Sequence, residues 1–288
     1  MEHLRQFFSN DWAVNYHDLS QVVSLMAPCI MSGNLQGAED LLKQKTLQAQ
    51  AVAAPNMAST WELDDLNLPV NSIAVIQLSG MIFCWETDWL ISKVKQAESN
   101  PQICGIVLVI DGPGGHATRI DVAARVIREA TKPVATVVVG DMCSAHYWIG
   151  TSADRVFATS PLCTVGSVGV MGEYMVLKGY FKQLGIDVHT IYADTSDLKN
   201  EEIRALEDKG DESLIKRRFE KIHKVFCEDV AANLGIAYDP ELEIFRGRVF
   251  TCDEAVAAGY IDEIGTIEDA VLWVMTQATS RQAAELYK

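Results

Sequence analysis

Short, almost uninterrupted apolar runs alternate with amphipathic stretches along most of this 288-residue chain. The clearest runs cover residues 73–78, 103–110 and 134–139, and such runs are typical of parallel strands with both faces covered. Between them, apolar residues at helical spacing predict helices over residues 87–99 and 119–131. Strands that alternate with helices indicate an α/β fold with a mostly parallel sheet.

The same alternation continues toward the C-terminus. Residues 161–172 are rich in Gly, Ser and Thr, so we expect an irregular segment there. The remaining pattern predicts strands over residues 155–159, 187–192 and 260–264, and helices over residues 144–152, 174–184, 201–234, 252–258 and 267–278.

The N-terminal part has a different pattern. An apolar stripe from Leu19 to Met26, limited by Pro28, predicts one helix, and residues 37–51 predict a second. Residues 53–70 combine prolines with polar residues, as a linker does. This part carries no chemistry that its residues identify, and we interpret it as a packing or oligomerisation arm.

These patterns divide the chain into three parts. We expect a helical N-terminal extension with its linker over residues 1–60 and a main domain over residues 61–280. Residues 281–288 would form a C-terminal tail.

Composition narrows the function classes. The chain has 24 basic and 39 acidic residues, a net charge of −15, which disfavours nucleic acid as a partner. Seven scattered cysteines form no C-x-x-C pair, so we expect reduced thiols and no metal or other cofactor. No signal peptide pattern or window of about 18 apolar residues appears, so we expect a cytoplasmic protein without a membrane anchor.

Two turns carry candidate chemistry. The run over residues 103–110 leads into Gly112-Pro113-Gly114-Gly115, and the run over residues 134–139 leads toward Ser144. The C-terminal ends of parallel strands meet at one edge of a sheet, where active sites of open α/β sheets lie. Glycine amides beside a serine hydroxyl suit acyl transfer, because a tetrahedral intermediate needs close N–H donors. Alternatively, Ser144 is an ordinary helix N-cap.

Four segments, in order, resemble one known family. They read I-A-V-I-Q-L-S-G from Ile73, V-L-V-I-D-G-P-G-G from Val107, S-A-H-Y-W-I-G-T-S-A-D-R-V-F-A-T-S from Ser144, and G-R-V-F-T-C-D-E-A-V-A-A-G-Y-I-D-E-I-G from Gly247. Over about residues 73–274 the chain resembles the SppA (signal peptide peptidase A) family of serine peptidases, which includes phage head-maturation proteases. Residues 1–60 lie outside the resemblance.

The resemblance implies a crotonase/ClpP-like superhelix of repeated β-β-α-type units and a ring-like oligomer. It also implies a Ser/Lys dyad, with Ser144 as the nucleophile and Lys199 as the base. The amides of Gly114, Gly115 and Ala145 would form the oxyanion hole.

The sequence departs from the family at two places. Gly112 stands where the family usually has Ser, before Pro113. The family's Gly-Lys-x-Lys motif is absent, and Lys199 is the only lysine of its loop, with Lys209 as the fallback base. ClpP itself ranks lower, because its His-containing segment after the nucleophile is missing.

Other polar and aromatic residues near the turns have structural interpretations. His146 lies two residues after Ser144, and side chains at i and i+2 of a helix point apart, so we interpret it as a pocket or packing residue. Asp111 and Asp141 are interpreted as polar turn residues rather than carboxylate catalysts or metal ligands. Trp85 and Trp89, at i and i+4, are interpreted as packing or oligomer contacts rather than a cofactor stack.

We therefore hypothesise a Ser/Lys endopeptidase that cleaves peptide or protein substrates. It would be a phage-type capsid or scaffold maturation protease in the host cytoplasm or virion, or a cytoplasmic relative. Two alternatives remain open. One is an inactive SppA-like scaffold, which the missing double-lysine motif favours, and the other is a crotonase-like protein that handles acyl-CoA.

Overall fold

The computed structural model describes residues 12–14, 26–42, 47–53, 60–174, 176 and 178–286. Near the N-terminus it has a short strand β1 (Trp12–Val14), a helical segment at residues 26–31 and helix α1 (Leu35–Leu42). Most of the predicted Leu19–Met26 stripe lies outside these residues.

A nine-stranded sheet forms the centre of the described structure. Its strands are β2 (Leu47–Val52), β3 (Thr60–Trp61), β4 (Ser72–Ser79), β5 (Ile103–Gly112), β7 (Val134–Cys143), β8 (Arg155–Ala158), β9 (Thr164–Gly166), β10 (Val249–Thr251) and β11 (Glu263–Ile264). Strands β4, β5, β7, β8 and β11 pair in parallel in that order, and β9 also pairs in parallel with β7. Strands β2, β3 and β10 pair antiparallel at the two sides.

Eight further helices surround the sheet in the described part of the chain. They are α2 (Cys84–Ser99), α3 (Ile120–Arg128), α4 (Ala145–Gly150), α5 (Lys178–Gln183), α6 (Glu201–Lys209), α7 (Ser213–Asn233), α8 (Cys252–Ala258) and α9 (Ile267–Leu286). The α/β class and the mostly parallel sheet are confirmed.

Both faces of the central strands are covered, which explains their continuous apolar sequence. On one face, side chains such as Leu108 and Val138 pack in a large core with helices α2, α3, α4 and α7. On the other face, Val107 and Val137 pack against Val274 and its neighbours on α9. In consequence each residue of β5 from Gly105 to Ile110 is buried, whichever face its side chain occupies.

Three expectations about local structure are wrong. The helix predicted over residues 37–51 ends at Leu42, and Leu47–Val52 instead pairs with β4 as an antiparallel strand. Residues 187–192 form no strand and are mostly exposed. The helix predicted over residues 267–278 is longer, because α9 continues as far as Leu286. In the first case, pairing with β4 outweighs the helix propensity of a Leu, Gln and Ala sequence.

A register shift aligns the two turns. Ile110 pairs with Val138, but the next pair joins Gly112 to Met142, so β7 contains two extra residues. A carboxylate oxygen of Asp111 accepts the Asp141 N–H at 3.0 Å inside this irregular region. Asp141 in turn accepts a hydrogen bond from the Thr164 hydroxyl. Both aspartates therefore stabilise the turns, as interpreted from the sequence.

Helix α4, which follows Ser144, is held by two buried side chains. The Tyr147 hydroxyl donates to the Tyr260 carbonyl at 2.7 Å, and burial raises the pKa of Tyr147 well above its usual value, so this donor stays protonated. The Trp148 indole N–H donates to the Asp229 carboxylate at 2.9 Å, and its ring stacks on Phe226. None of the helices within the described ranges is long and apolar enough to cross a membrane.

Replacing Tyr147 by Phe tests this anchor. The change leaves the Tyr260 carbonyl without its donor, so we expect the free energy of unfolding to fall by about 1–3 kcal/mol in urea titrations. Tyr260→Phe is the matched control, because it removes a hydroxyl while it keeps the carbonyl that Tyr147 uses. Equal effects of the two changes would contradict the assignment.

Candidate active site

Ser144 has an unusual backbone conformation. It lies between the end of β7 and the start of α4, with φ 54° and ψ −114°. A positive φ is uncommon outside glycine, and this ψ lies outside the left-handed helical region, so the conformation is strained. The Ser144 side chain makes no capping hydrogen bond to α4. The interpretation as an ordinary N-cap is therefore wrong, and the turn is of the strand-to-helix kind that presents nucleophiles.

The hydroxyl of Ser144 is also distinctive. It is fully buried, and its oxygen has no hydrogen-bond partner among the described residues. By contrast, the Ser152 hydroxyl donates to the Trp148 carbonyl at 2.9 Å, and the Ser160 hydroxyl accepts the Leu162 N–H. An unsatisfied buried hydroxyl costs about 1–3 kcal/mol, so its retention points to a functional requirement.

The glycine-rich turn lies directly beside this serine. After Gly112, which pairs with Met142 of β7, Pro113 leads into the short strand β6 (Gly114–His116). Gly114 has φ 113°, a conformation that favours glycine. The arrangement confirms that both turns lie at one edge of the sheet.

His146 holds the glycine-rich turn. Its Nδ1 accepts the Gly114 N–H at 2.9 Å, and the imidazole is fully buried. An accepting Nδ1 requires a neutral ring with its proton on Nε2. The Gly114 N–H is thus directed at His146, and it would have to leave that acceptor to bind an oxyanion. The assignment of Gly114 to the oxyanion hole stays a prediction.

The same histidine explains a departure from the family pattern. A Cβ atom on Gly112 would lie 2.4 Å from His146 Cε1 and 2.6 Å from the Gly80 carbonyl oxygen. The serine that the family usually has at this position does not fit beside the ring. The close contact between Gly112 and His146 is not visible in the sequence pattern, where the two residues lie 34 positions apart.

Gly115 is fixed by the chain that follows β4. The Ile82 N–H donates to the Gly114 carbonyl at 2.9 Å, and the Ile82 carbonyl accepts the His116 N–H at 2.8 Å. A Cβ atom on Gly115 would lie 2.1 Å from the Ile82 carbonyl oxygen, so only glycine fits there. Ala145 begins α4, where the amides of the first turn lack intrahelical acceptors. Gly115 and Ala145 remain predicted oxyanion donors.

The predicted base is not hydrogen-bonded to Ser144. Lys199 follows the 3₁₀ turn Asp194–Ser196 and is exposed, and its N–H donates to the Ser196 carbonyl. The Ser144 hydroxyl has no partner among the described residues, so no lysine amine of that part of the chain is bound to it. Lys209, the fallback, is also exposed, in the last turn of α6. The role of Lys199 as the base stays a prediction.

Lys132 has a perturbed pKa for a structural reason. Burial lowers its pKa, although Glu98 opposes the shift. Its ammonium donates to the carbonyls of Ala97 and Asn100 at 2.6 and 2.7 Å. Lys132 precedes β7, whereas Ser144 follows the other end of that strand, so Lys132 is not placed to act on the serine.

A Cys/His pair on α7 is likewise not a nucleophilic site. Cys227 Sγ lies 3.3 Å from His223 Nε2, but burial raises the pKa of Cys227 to about 12. The thiol therefore stays protonated, whereas a nucleophilic cysteine needs a lowered pKa. His223 Nε2 also lies 3.1 Å from the Phe245 carbonyl, to which it can only donate.

A cavity of about 470 Å³ adjoins the site. The Ser144 N–H donates to the Gly166 carbonyl at 2.7 Å, and the cavity begins with the next residue, Ser167. Its wall combines residues 167–171 with Phe219 and other side chains. Within the described ranges, His, Cys, Asp and Glu form no cluster of three that could hold a metal ion.

Comparison with known proteins identifies the family. The sequence matches the profile of peptidase family S49 over residues 126–281, just over half of the chain. The chain belongs to peptidase family S49. The resemblance to SppA is confirmed, and the α/β architecture is consistent with that family.

Three relatives show how far the similarity extends. Protease 4 of Salmonella typhi is 29% identical over 69% of this chain and 34% of its own length. The head-tail preconnector protein of Enterobacteria phage P21 is 28% identical over 74% of this chain and 43% of its own. Capsid assembly protease C of Escherichia phage lambda is 26% identical over 90% of this chain and 62% of its own. The chain thus spans less than two thirds of each relative.

The packing of Gly112 against His146 predicts coupled mutations. Gly112→Ser should destabilise the protein by about 1–3 kcal/mol, because the new Cβ overlaps the ring and the Gly80 carbonyl. In Gly112→Ser/His146→Ala the ring is gone, so the loss should be smaller than the sum of the two single losses. Urea unfolding of the four proteins measures this coupling. Strict additivity would show that the two positions do not interact.

Proposed function

We propose that this protein is a serine peptidase with Ser144 as its nucleophile. The observation that carries the proposal is the strained, buried Ser144, whose hydroxyl has no hydrogen-bond partner in the described part of the chain and lies beside a glycine-rich turn. Membership of peptidase family S49 supports the same reaction class.

In the proposed reaction, Ser144 Oγ attacks the carbonyl carbon of a peptide bond. A base takes the hydroxyl proton, and the amides of Gly115 and Ala145 stabilise the oxyanion, with Gly114 joining if it leaves His146. The protonated base then gives its proton to the leaving amine. Water then attacks the acyl-enzyme. The base takes a proton from this water and returns it to Ser144 Oγ as the carboxylic acid product leaves.

We assign the base to Lys199 of a neighbouring protomer. The segment that carries Lys199 exposes six large apolar side chains: Tyr180, Leu184, Ile186, Val188, Ile191 and Leu198. Ile191 and Leu198 are 90% and 70% exposed, and exposed apolar surface of this kind marks protein–protein contacts. Packing against a second copy would also remove Lys199 from water, which favours the neutral amine that a base requires.

The proposed substrate is an extended polypeptide. The cavity beside Gly166 would receive one of its side chains, and its lining of Val168, Met171 and Phe219 suits an apolar residue. The names of the phage relatives refer to head and capsid assembly. They support a capsid or scaffold protein as the natural substrate.

An inactive scaffold is the second candidate, because Lys199 is exposed and the family's double-lysine motif is missing. An acyl-CoA-handling role has no such observation in its favour, and it would require neither a strained Ser144 nor a base.

The nucleophile is tested by Ser144→Ala. We expect it to abolish labelling by a fluorophosphonate probe and to lower kcat/KM on a fluorogenic library of extended apolar peptides by about a thousandfold or more. Ser160→Ala is the matched control, because the half-buried Ser160 hydroxyl already accepts the Leu162 N–H, and its loss should leave both readouts unchanged. Labelling that survives Ser144→Ala would eliminate Ser144. Acyl-CoA binding without labelling would support the acyl-CoA role.

The base is tested by Lys199→Ala beside Lys209→Ala. We expect only Lys199→Ala to remove peptide cleavage, while the fold and the oligomeric state persist. Mixing inactive Ser144→Ala with inactive Lys199→Ala should restore part of the activity if each site combines residues of two protomers. Full activity of Lys199→Ala would exclude Lys199 as the base. Absence of peptide cleavage by the unsubstituted protein under any condition would favour the scaffold.

A further inference from the structure

The glycine-rich turn is already paired with another part of this chain. Strand β1 runs antiparallel to β6, with Trp12 opposite His116, Ala13 opposite Gly115 and Val14 opposite Gly114. These two strands form a separate small sheet beside the main one. A segment far from the site in sequence thus lies along the strand that follows the proposed oxyanion turn.

The hydrogen-bonding pattern identifies which groups β1 uses. Gly114 and His116 direct their main-chain groups at Ile82 and His146, on one edge of β6. Main-chain groups alternate between the edges of a strand, so the N–H and C=O of Gly115 point to the other edge. Ala13 lies opposite Gly115 on that edge, and the two residues form the hydrogen-bonded pair of the ladder.

This pairing places a carbonyl at the proposed oxyanion hole. The Gly115 N–H is one of the predicted oxyanion donors, and here it is directed at the carbonyl oxygen of Ala13. In the proposed reaction the same N–H receives the carbonyl oxygen of the substrate. The Ala13 carbonyl therefore stands where the scissile carbonyl would stand.

Burial of the site supports the same conclusion. All three residues of β6 are buried, and Ser144 is 0% exposed. A polypeptide cannot reach a fully buried hydroxyl unless some of the chain that covers the site moves away. Because β1 has only three residues and pairs along a single edge, it is a segment that can separate without disturbing the main sheet.

We propose that β1 is an internal competitor for the substrate-binding edge of β6. It occupies the position of an extended substrate strand, and it must separate from Gly115 before a polypeptide can pair there and reach Ser144. The identification of this edge with the substrate site rests on the proposed peptidase function. The partner that the edge accepts is an extended polypeptide segment, bound through its main chain as β1 is.

Two neighbouring proline substitutions provide the test. Ala13→Pro removes the N–H directed at the Gly115 carbonyl and should release β1. Val14→Pro is the matched control, because its N–H points away from β6 and an edge strand tolerates proline at such a position. Hydrogen exchange of the Gly115 amide reports the pairing directly. We expect at least tenfold faster exchange in Ala13→Pro and little change in Val14→Pro, with unchanged circular dichroism in both.

Binding of a peptide to the free edge of β6 is measured without catalysis, in the Ser144→Ala protein. The probe is a fluorescein-labelled peptide with the sequence of residues 10–16, Asn-Asp-Trp-Ala-Val-Asn-Tyr. We expect it to bind the Ala13→Pro protein at least tenfold more tightly than the parent or the Val14→Pro protein. With Ser144 restored, Ala13→Pro should raise kcat/KM on the fluorogenic peptides several-fold, mainly through a lower KM.

The outcomes separate this proposal from the peptidase function. If the peptide binds Ala13→Pro no better than Val14→Pro although Gly115 exchanges faster, β1 is not a competitor, whatever the activity. If Gly115 exchange is unchanged in Ala13→Pro, β1 does not pair as proposed, and the inference is overturned. Tighter peptide binding without any cleavage would uphold the competition and overturn the peptidase assignment.

Discussion

The parallel pairing of β5 with β7 is the constraint on which the site depends. The strands are in register as far as Ile110 and Val138, and two extra residues in β7 then delay the end of that strand. Without this shift, Gly112 would pair with a residue earlier in β7, and Ser144 would lie farther along the strand direction from the glycine-rich turn. Asp111 stabilises the irregular region through the Asp141 N–H, so the geometry of the site is fixed by main-chain pairing before any catalytic side chain is considered.

The shape of the site is further determined by two glycines that lie in close contact with neighbouring groups. Gly115 lies against the Ile82 main chain, and Gly112 lies against the His146 ring, so neither position has room for a side chain. The strained turn at Ser144 persists because the residues after it are firmly held, through Tyr147 to Tyr260 and through Trp148 to Asp229. Strain at Ser144 and rigidity in α4 are thus two parts of one arrangement.

Sequence reasoning succeeded where the signal is local. The apolar runs of β5 and β7 identify strands covered on both faces, and glycine and serine at their ends locate the turns. It failed where partners distant in sequence decide the structure. Leu47–Val52 has the composition of a helix, and it is a strand because it pairs with β4. The sequence of Trp12–Val14 contains no pattern that predicts its pairing with β6. The proposed contact of Lys199 with Ser144 of a neighbouring protomer would depend on surfaces that a single chain leaves exposed.

Because β1 belongs to the same chain as β6, its proposed competition for that edge is stronger than its few hydrogen bonds suggest. A free tripeptide with one pair of main-chain hydrogen bonds would bind too weakly to matter, but a tethered one competes at a high effective concentration, in the millimolar range for short flexible connections. In the proposed competition, a substrate in dilute solution would succeed only if it made contacts that β1 lacks. Length and local abundance of the substrate would then decide which polypeptides bind, and an assembly that concentrates many copies of one polypeptide around this protein would favour that polypeptide on both counts.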